Sequence, residues 1–256
     1  MQDETVPGEE CNVRIDEQDG VRLMYLGGET VHSAMRVDCP NDLELSYTRS
    51  MMGFLLFRPE PRHVLMIGLG GGSLAKFIYH RMPQTRITVV EINPEVVAAA
   101  RSHFLLPEDD ERLQLIIGDA AEYVAATTDK FDVVMVDGFA AHRQVESLAT
   151  EDFYSYCQKL LCADGALVVN LVSSERISAE YYERFKVVFA GQTVALPAEK
   201  RGNVILLGLD KSPGTPSWGV LQERAQQLEL LYGLEFPLFI ESLKKMNPTS
   251  VEGLLV

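Results

Sequence analysis

The stretch that decides the fold runs from His63 to Ser73 and reads HVLMIGLGGGS. Its first part is an unbroken apolar run, which is typical of a strand that is buried on both faces of a sheet. The glycines that follow allow a tight turn and let backbone N–H groups approach a ligand at the start of a helix, although packing alone can also select such glycines. A buried strand, a glycine-rich turn and a helix in this order predict the first unit of an α/β domain.

Similar units follow along the chain, and they extend this prediction to a doubly wound α/β fold with a seven-stranded, mostly parallel sheet. The predicted strands are His63–Leu69, Arg86–Ile92, Leu113–Ile117, Phe131–Val136, Gly165–Val172, Gln192–Leu196 and Asn203–Leu209. The predicted helices between them are Ser73–His80, Pro94–Phe104, Ala120–Ala126, Glu151–Leu161 and Ala179–Phe189. Only Pro197–Gly202 joins the last two strands, which is too short for a crossover helix, so the final strand should be antiparallel.

Two smaller segments flank this domain, which we predict to span residues 61–210. Residues 1–60 form a β-rich attachment, with alternating apolar residues at Val21–Leu26 and a helix at about Leu45–Phe57. Residues 211–256 form a linker at Lys211–Ser217 and two helices, Val220–Leu231 and Pro237–Met246. We expect these helices to pack back on the sheet.

Composition and charge narrow the class of protein. With 256 residues, 46% hydrophobic and 23% charged, the chain can form a proper core. Neither a long apolar stretch nor a basic leader is present, so we expect a cytoplasmic protein with no membrane partner. The net charge of −14 repels nucleic acid; it mainly favours solubility but also suits a cationic substrate. The four cysteines lack zinc-site spacing, so we expect no metal.

The candidate site residues follow the predicted parallel strands, because ligands bind beyond the carboxyl ends of such strands. After the first strand, the cofactor-binding candidates are Gly68, Gly70 and Gly72. Glu91 ends the second strand, where a carboxylate can accept both hydroxyls of a ribose or, alternatively, favour a helix N-terminus.

The next two strands end in further carboxylates. Asp119 can accept from an adenine amino group while the N–H of Ala120 meets a ring nitrogen; alternatively, Asp119 caps the next helix. Asp137 can hold an ammonium group or take a proton from an amine, and its alternative is a turn residue before Gly138. Together these residues predict a site for an adenine nucleoside whose reacting end points at Asp137.

Other nucleotide sites fit the pattern less well. No G-x-x-x-x-G-K-[ST] motif is present for a triphosphate, and Ser73 replaces the third glycine of a dinucleotide turn. Tyr182 and Lys186, with Ser173 and Ser174 upstream, match the pattern of short-chain dehydrogenases. We interpret that match as chance, because it leaves the acids at 119 and 137 without a role.

The run from Arg62 to about Leu209 resembles the class I S-adenosylmethionine-dependent methyltransferase fold, and within it the spermidine synthase (polyamine aminopropyltransferase) family. The segments that carry the resemblance are VLMIGLGGG at 64–72, VVEIN at 89–93, IGDA at 117–120, FDVVMVD at 131–137 and, most specific, LATEDFY at 148–154. It implies that Glu91 holds the ribose, Asp119 holds the adenine, and Asp137 is catalytic. Tyr47 matches a substrate-side tyrosine of the family, and His32 stands where the family has a glutamine.

The chain also departs from the family pattern. Gly71 stands where the family has an aspartate, and Ala140 stands where it has a second acid after Asp137. His142, in the loop after the fourth strand, is a further substrate-side candidate, although loop histidines are more often simply solvated.

The resemblance implies a transferase that binds decarboxylated S-adenosylmethionine or S-adenosylmethionine as co-substrate and moves an aminopropyl group to a small amine. The alternatives are a small-molecule methyltransferase and a nucleoside-binding homologue that has lost catalysis. The β-rich N-terminal piece makes a homodimer plausible.

Overall fold

The computed structural model describes residues 12–140, 143–144, 146–172, 177–198 and 202–256. Within these residues, the main sheet has seven strands: β4 His63–Ile67, β5 Arg86–Glu91, β6 Leu113–Ile117, β7 Phe131–Val136, β10 Leu161–Val172, β11 Thr193–Pro197 and β12 Asn203–Leu209. Their order across the sheet is β11-β12-β10-β7-β4-β5-β6. β12 runs antiparallel to both β10 and β11, and the pairs among β10, β7, β4, β5 and β6 are parallel. The predicted fold class and the antiparallel final strand are confirmed.

Alternating residues of the apolar strands face two separate cores. In β4, Val64 and Met66 belong to one apolar cluster, whereas Leu65 and Ile67 belong to the other. Successive side chains of a strand point to opposite faces, so an unbroken apolar run requires cover on both. The helices that provide this cover are α1 Ser46–Met51, α2 Ser73–Arg81, α3 Pro94–Phe104, α4 Ala120–Ala126, α5 Glu151–Leu160, α6 Ile177–Val188, α7 Trp218–Tyr232 and α8 Phe236–Met246.

The N-terminal part is β-rich, as predicted. An antiparallel sheet is formed by β1 Val13–Gln18, β2 Val21–Leu26 and β3 Val31–Arg36. Met24 and Met35 of this sheet pack with Phe104 at the end of α3. Ser33 of β3 also accepts from the Gly71 N–H at 3.0 Å, so the sheet lies against the glycine turn on the ligand side of the main domain.

The helix predicted over Leu45–Phe57 is shorter than expected. It ends at Met51 and continues as a 3₁₀ helix over Met52–Leu56. A Cβ atom on Gly53 would lie 2.5 Å from the Leu196 side chain, which shows how closely this tightened turn packs against β11. Such close packing leaves no signal in hydrophobic periodicity.

β10 begins at Leu161 rather than at Gly165, because its pairing with β7 shifts register between Leu161 and Ala166. Two two-residue strands, β8 (Phe139–Ala140) and β9 (Arg143–Gln144), pair just after β7.

The C-terminal helices pack on the sheet, as expected. Leu221 of α7 and Phe239 of α8 are buried in the same apolar cluster as Ile205 of β12. Arg49 of α1 also donates to the Glu235 carboxylate at 2.7 Å. The boundaries at residues 60 and 210 remain predictions, since this cluster crosses both. Among the described residues, no helix has the length and apolar character to cross a membrane.

Candidate active site

A cavity of about 740 Å³ opens beyond the carboxyl ends of β4, β5, β6 and β7. The N-terminal sheet and α1 supply its other walls. The sequence-predicted residues that line it are His32, Tyr47, Gly68, Gly70, Glu91, Asp119, Ala120 and Asp137. Gly72 is not among the lining residues, and His142 lies outside the described residues.

Three glycines of the predicted tight turn have a left-handed backbone. Gly68, Gly70 and Gly72 have φ values of 90°, 54° and 71°, a region that residues with a Cβ atom rarely adopt. A Cβ atom on Gly68 would collide with the main-chain oxygen of Asp137, so the ends of β4 and β7 approach each other closely here. The Cβ position of Gly72 faces Leu106, which explains why Gly72 lies behind the cavity wall.

Glu91 is buried and holds the glycine turn in place. Its Oε2 accepts from the Leu69 N–H at 2.8 Å, and its Oε1 accepts from the Asn93 N–H at 2.9 Å. Burial raises the pKa of Glu91, and bonds from backbone N–H groups partly oppose that rise. The residue therefore links the turn to the start of α3 while it lines the cavity.

Asp119 caps α4, as the alternative interpretation of this residue predicts. Its Oδ1 accepts from the N–H groups of Ala121 at 2.6 Å and Glu122 at 3.2 Å. Both bonds use Oδ1, so the cap leaves Oδ2 available for a ligand donor. Ala120 follows as the first residue of the helix and is buried at the cavity wall.

Asp137 lies deep in the site directly after β7, and Asn170 Nδ2 donates to its Oδ1 at 2.8 Å. The Tyr47 hydroxyl donates to the main-chain oxygen of His32 at 3.4 Å. It also lies close enough to the Asp137 carboxylate to lower the pKa of that group, so Tyr47 acts on the carboxylate from the α1 side of the cavity.

The surroundings of Asp137 act on its protonation in opposite directions. Burial raises the pKa of Asp137, the Asn170 and Tyr47 hydrogen bonds lower it, and repulsion by Glu91 raises it further. The pKa of Tyr47 is raised well above its ordinary value by burial and by the neighbouring Asp137 charge. A carboxylate with a raised pKa is a stronger base than one in water.

Sequence reasoning missed several polar residues of the cavity wall. Asn170 interrupts the apolar run of β10 and could have been found as a polar residue inside a buried strand. Asn203 lies at the start of an antiparallel strand, where the strand-end rule does not look. Ser33 and Glu44 come from the N-terminal attachment and carried no pattern.

Tyr182 and Lys186 are not lining residues of this cavity. They lie on α6, where Lys186 pairs with Glu183 at 3.1 Å. Ser173 and Ser174 are outside the described residues. In the part of the chain that is described, no group of three or more His, Cys, Asp or Glu side chains is arranged to hold a metal ion.

A family model described as "Spermine/spermidine synthase domain" matches residues 44–192, which is more than half of the chain. The chain belongs to the spermine/spermidine synthase family. Among curated relatives, the polyamine aminopropyltransferase of Chromobacterium violaceum is 41% identical over 244 residues, covering 95% of this chain and 94% of that protein. That of Neisseria meningitidis serogroup A is 41% identical over 239 residues, covering 93% and 91%.

Solved structures agree on the fold. A probable spermidine synthase from Corynebacterium glutamicum is 20% identical and superposes with a TM-score of 0.72 over 97% of both chains. A spermidine synthase in complex with the transition-state analogue AdoDATO gives 0.68 at 19% identity, covering 90% of this chain and 84% of that one. Human methyltransferase-like protein 13 in complex with SAH gives 0.66 at 25% identity, covering 73% and 92%.

Gly71, where the resemblance places an acid, has little room for a side chain. Its N–H donates to Ser33 Oγ at 3.0 Å, and a Cβ atom would lie 2.7 Å from the Phe104 ring and 2.8 Å from Ser33 Oγ. The space for the side chain is thus filled by β3 and α3. An acid at this position cannot be accommodated without moving its neighbours.

Proposed function

We propose that this protein transfers an aminopropyl group from decarboxylated S-adenosylmethionine to a small amine. The observation that carries the proposal is the Asp137 carboxylate at the inner end of a nucleoside-sized cavity, in a chain that belongs to the spermine/spermidine synthase family. The polyamine aminopropyltransferases that are 41% identical to nearly the whole chain support it.

In this reaction the amine nitrogen attacks the propyl carbon next to the sulfonium. The new C–N bond forms as the C–S bond breaks, and the bond electrons stay on sulfur, which becomes a neutral thioether. The amine must lose one proton, and Asp137 accepts it or holds the amine in line for attack. Neutralisation of the sulfonium charge does not require a metal at this step.

The other cavity residues would bind the nucleoside. Glu91 would accept the ribose hydroxyls, Asp119 Oδ2 would accept from the adenine amino group, and the N–H of Ala120 would meet a ring nitrogen. The backbone at Gly68 and Gly70 would lie against the sulfonium side. His32 and Tyr47 would close the amine side, and His142 stays a prediction.

The test is turnover of decarboxylated S-adenosylmethionine with a panel of diamines, triamines and guanidino amines, followed by mass spectrometry. We expect methylthioadenosine and one amine heavier by an aminopropyl group. Tight nucleoside binding with no turnover over the whole panel would contradict transfer and would favour a binding protein that has lost catalysis.

Methyl transfer from S-adenosylmethionine is a second candidate. The absence of an acid at Gly71 favours it, because the methionine carboxylate would then meet no opposing charge there. The likeness to a methyltransferase-like protein with bound SAH is consistent with it. The thioether product separates the two reactions, since methyl transfer releases S-adenosylhomocysteine and aminopropyl transfer releases methylthioadenosine.

We also propose that the protein is a cytoplasmic homodimer without nucleic-acid or membrane partners. The net charge of −14 supports the lack of polyanion binding, and β1 and β3 are the outer strands of the N-terminal sheet, where a second copy would pair. Light scattering on the purified chain tests the dimer.

A further inference from the structure

A row of three polar side chains crosses three neighbouring strands at the ligand edge of the sheet. Asn203 Nδ2 donates to Asn170 Oδ1 at 2.8 Å, and Asn170 Nδ2 donates to Asp137 Oδ1 at 2.8 Å. Strand register places these residues together. Val169 of β10 pairs with Val136 of β7, and the next residues on the two chains are Asn170 and Asp137. Asn170 also pairs with Ile205 of β12, which is two residues along that strand from Asn203. All three residues line the cavity.

The chemistry of the amide group gives this row one direction. An amide has an acceptor oxygen and a donor nitrogen. If the Asn170 amide were turned, its oxygen would face the Asp137 carboxylate and its nitrogen would face the Asn203 nitrogen. While Asp137 is ionised both contacts would be repulsive, so donation by Asn203 favours the orientation in which Asn170 donates to Asp137.

The burial of Asn170 indicates a role other than stability. The residue is 1% exposed within the apolar part of β10, residues 166–172. An apolar residue at this position would avoid the cost of burying an amide. The amide is instead placed so that its donor reaches the Asp137 carboxylate in the cavity.

We propose that Asn203 and Asn170 are positioning residues, in which Asn203 fixes the Asn170 amide and that amide keeps Asp137 deprotonated and oriented toward the amine. That an amine binds next to Asp137 rests on the proposed function. The relay, by which we mean the hydrogen bonds from Asn203 to Asn170 and from Asn170 to Asp137, rests on these two bonds and on the strand register.

The groups around Asp137 explain why such a relay is needed. Tyr47, on α1, lowers the pKa of the Asp137 carboxylate, whereas Glu91, at the end of β5, repels the carboxylate and raises it. Burial of Asp137 favours the protonated acid, and a protonated acid cannot accept a proton from an amine. The hydrogen bond from Asn170 opposes this effect.

The direct test is a ¹³C NMR titration of protein labelled at the aspartate carboxyl carbons, with Asp137→Asn to assign the resonance. We expect Asn170→Leu to move the Asp137 titration to higher pH by about one pH unit or more. Asn203→Leu should move it in the same direction by less. In the Asn170→Leu background, Asn203→Leu should have no further effect, because it acts through Asn170.

Asn247→Leu is the matched control. Its side chain is also an amide bridge, accepting from Ala195 N at 2.7 Å and donating to Ala195 O at 2.8 Å, but it joins α8 to β11 away from the cavity lining. Its replacement should lower stability and leave the Asp137 titration unchanged. If Asn247→Leu moved the Asp137 titration as far as Asn170→Leu does, the relay would be overturned, because loss of any buried amide would then produce the shift.

In the activity assay, the acid limb of kcat/KM should move by the same amount as the NMR titration, and turnover should recover at higher pH. An unchanged titration in Asn203→Leu, or shifts that simply add in the double variant, would overturn the relay. If the wild-type chain transfers no aminopropyl group, the titration still decides the relay, so the two proposals fail separately.

Discussion

At the scale of single residues, Asp137 combines two properties that rarely coincide. It lies deep within the protein and lines the cavity, and its carboxylate is held by a hydrogen bond from Asn170 of β10. A base held in this way needs little reorganisation when an amine arrives.

The first prediction concerns this carboxylate. Asp137→Asn should lower turnover by about 10²–10⁴-fold, because the amide retains the shape of the side chain but cannot accept a proton. Initial rates test this, and calorimetry with methylthioadenosine should show nearly unchanged affinity. Asp152→Asn, an exposed acid at the start of α5, is the control. Equal activity in Asp137→Asn would refute the assigned role.

The second prediction concerns Gly71. Restoring the family acid with Gly71→Asp should not raise turnover, and it should destabilise the fold by about 1–3 kcal/mol because the side chain collides with Phe104 and Ser33. Gly71→Ala separates the steric effect from the charge. Urea unfolding measures both.

Gly219→Ala is the control for this pair, since the space around Gly219 is open and the residue lies within α7. It should gain up to about 1 kcal/mol. If Gly71→Ala were as stable as the unchanged chain, the prediction would be wrong, because Phe104 and Ser33 would then move aside at no cost.

At the scale of elements, a buried lysine joins α2 to its surroundings. Lys76 is fully buried and donates to the main-chain oxygens of Pro40 at 2.7 Å and Phe104 at 2.6 Å. Burial lowers the pKa of Lys76 to about 8. The lysine thus connects the helix that starts at the glycine turn with the N-terminal attachment and with the end of α3.

The third prediction follows from this burial. Between pH 8 and 10.5 the unfolded chain keeps the Lys76 proton and the folded chain releases it, so the free energy of unfolding should rise with pH. Below pH 8 both states are protonated and this contribution is constant. Lys76→Met should lose that rise in urea titrations, whereas Lys245→Met, at an exposed position on α8, should keep it. Identical slopes in the parent chain and Lys76→Met would contradict the prediction.

Much of the element order could be predicted, because hydrophobic periodicity reflects burial directly. The run HVLMI must be covered on both faces, and acids at the ends of parallel strands must meet at one edge. The contribution of Asn203 could not be predicted, because it depends on strand order and register across the sheet. Lys76 was missed for a similar reason: lysines are almost always exposed, and only tertiary contacts reveal this exception.

At the scale of the whole molecule, the net charge of −14 should act on any cationic acceptor. Acidic surfaces speed the encounter with cations, and salt screens this attraction over about 10 Å at 0.1 M.

The fourth prediction is that kcat/KM for a diamine falls several-fold as NaCl rises from about 0.02 to 0.5 M. The affinity for methylthioadenosine, a neutral ligand, should change little and serves as the control. A kcat/KM value independent of salt would mean that the charge serves solubility alone.

The reversed direction of β12 has a consequence for how this family could diversify. A strand that runs against its neighbours places its first residue, rather than its last, at the edge where ligands bind, so Asn203 at the start of β12 lines the cavity. Substitution of Asn203 would change that wall while the parallel strands stay in place. Evolution or an engineer would therefore retune the choice of acceptor at the start of a single strand without disturbing the nucleoside half of the pocket.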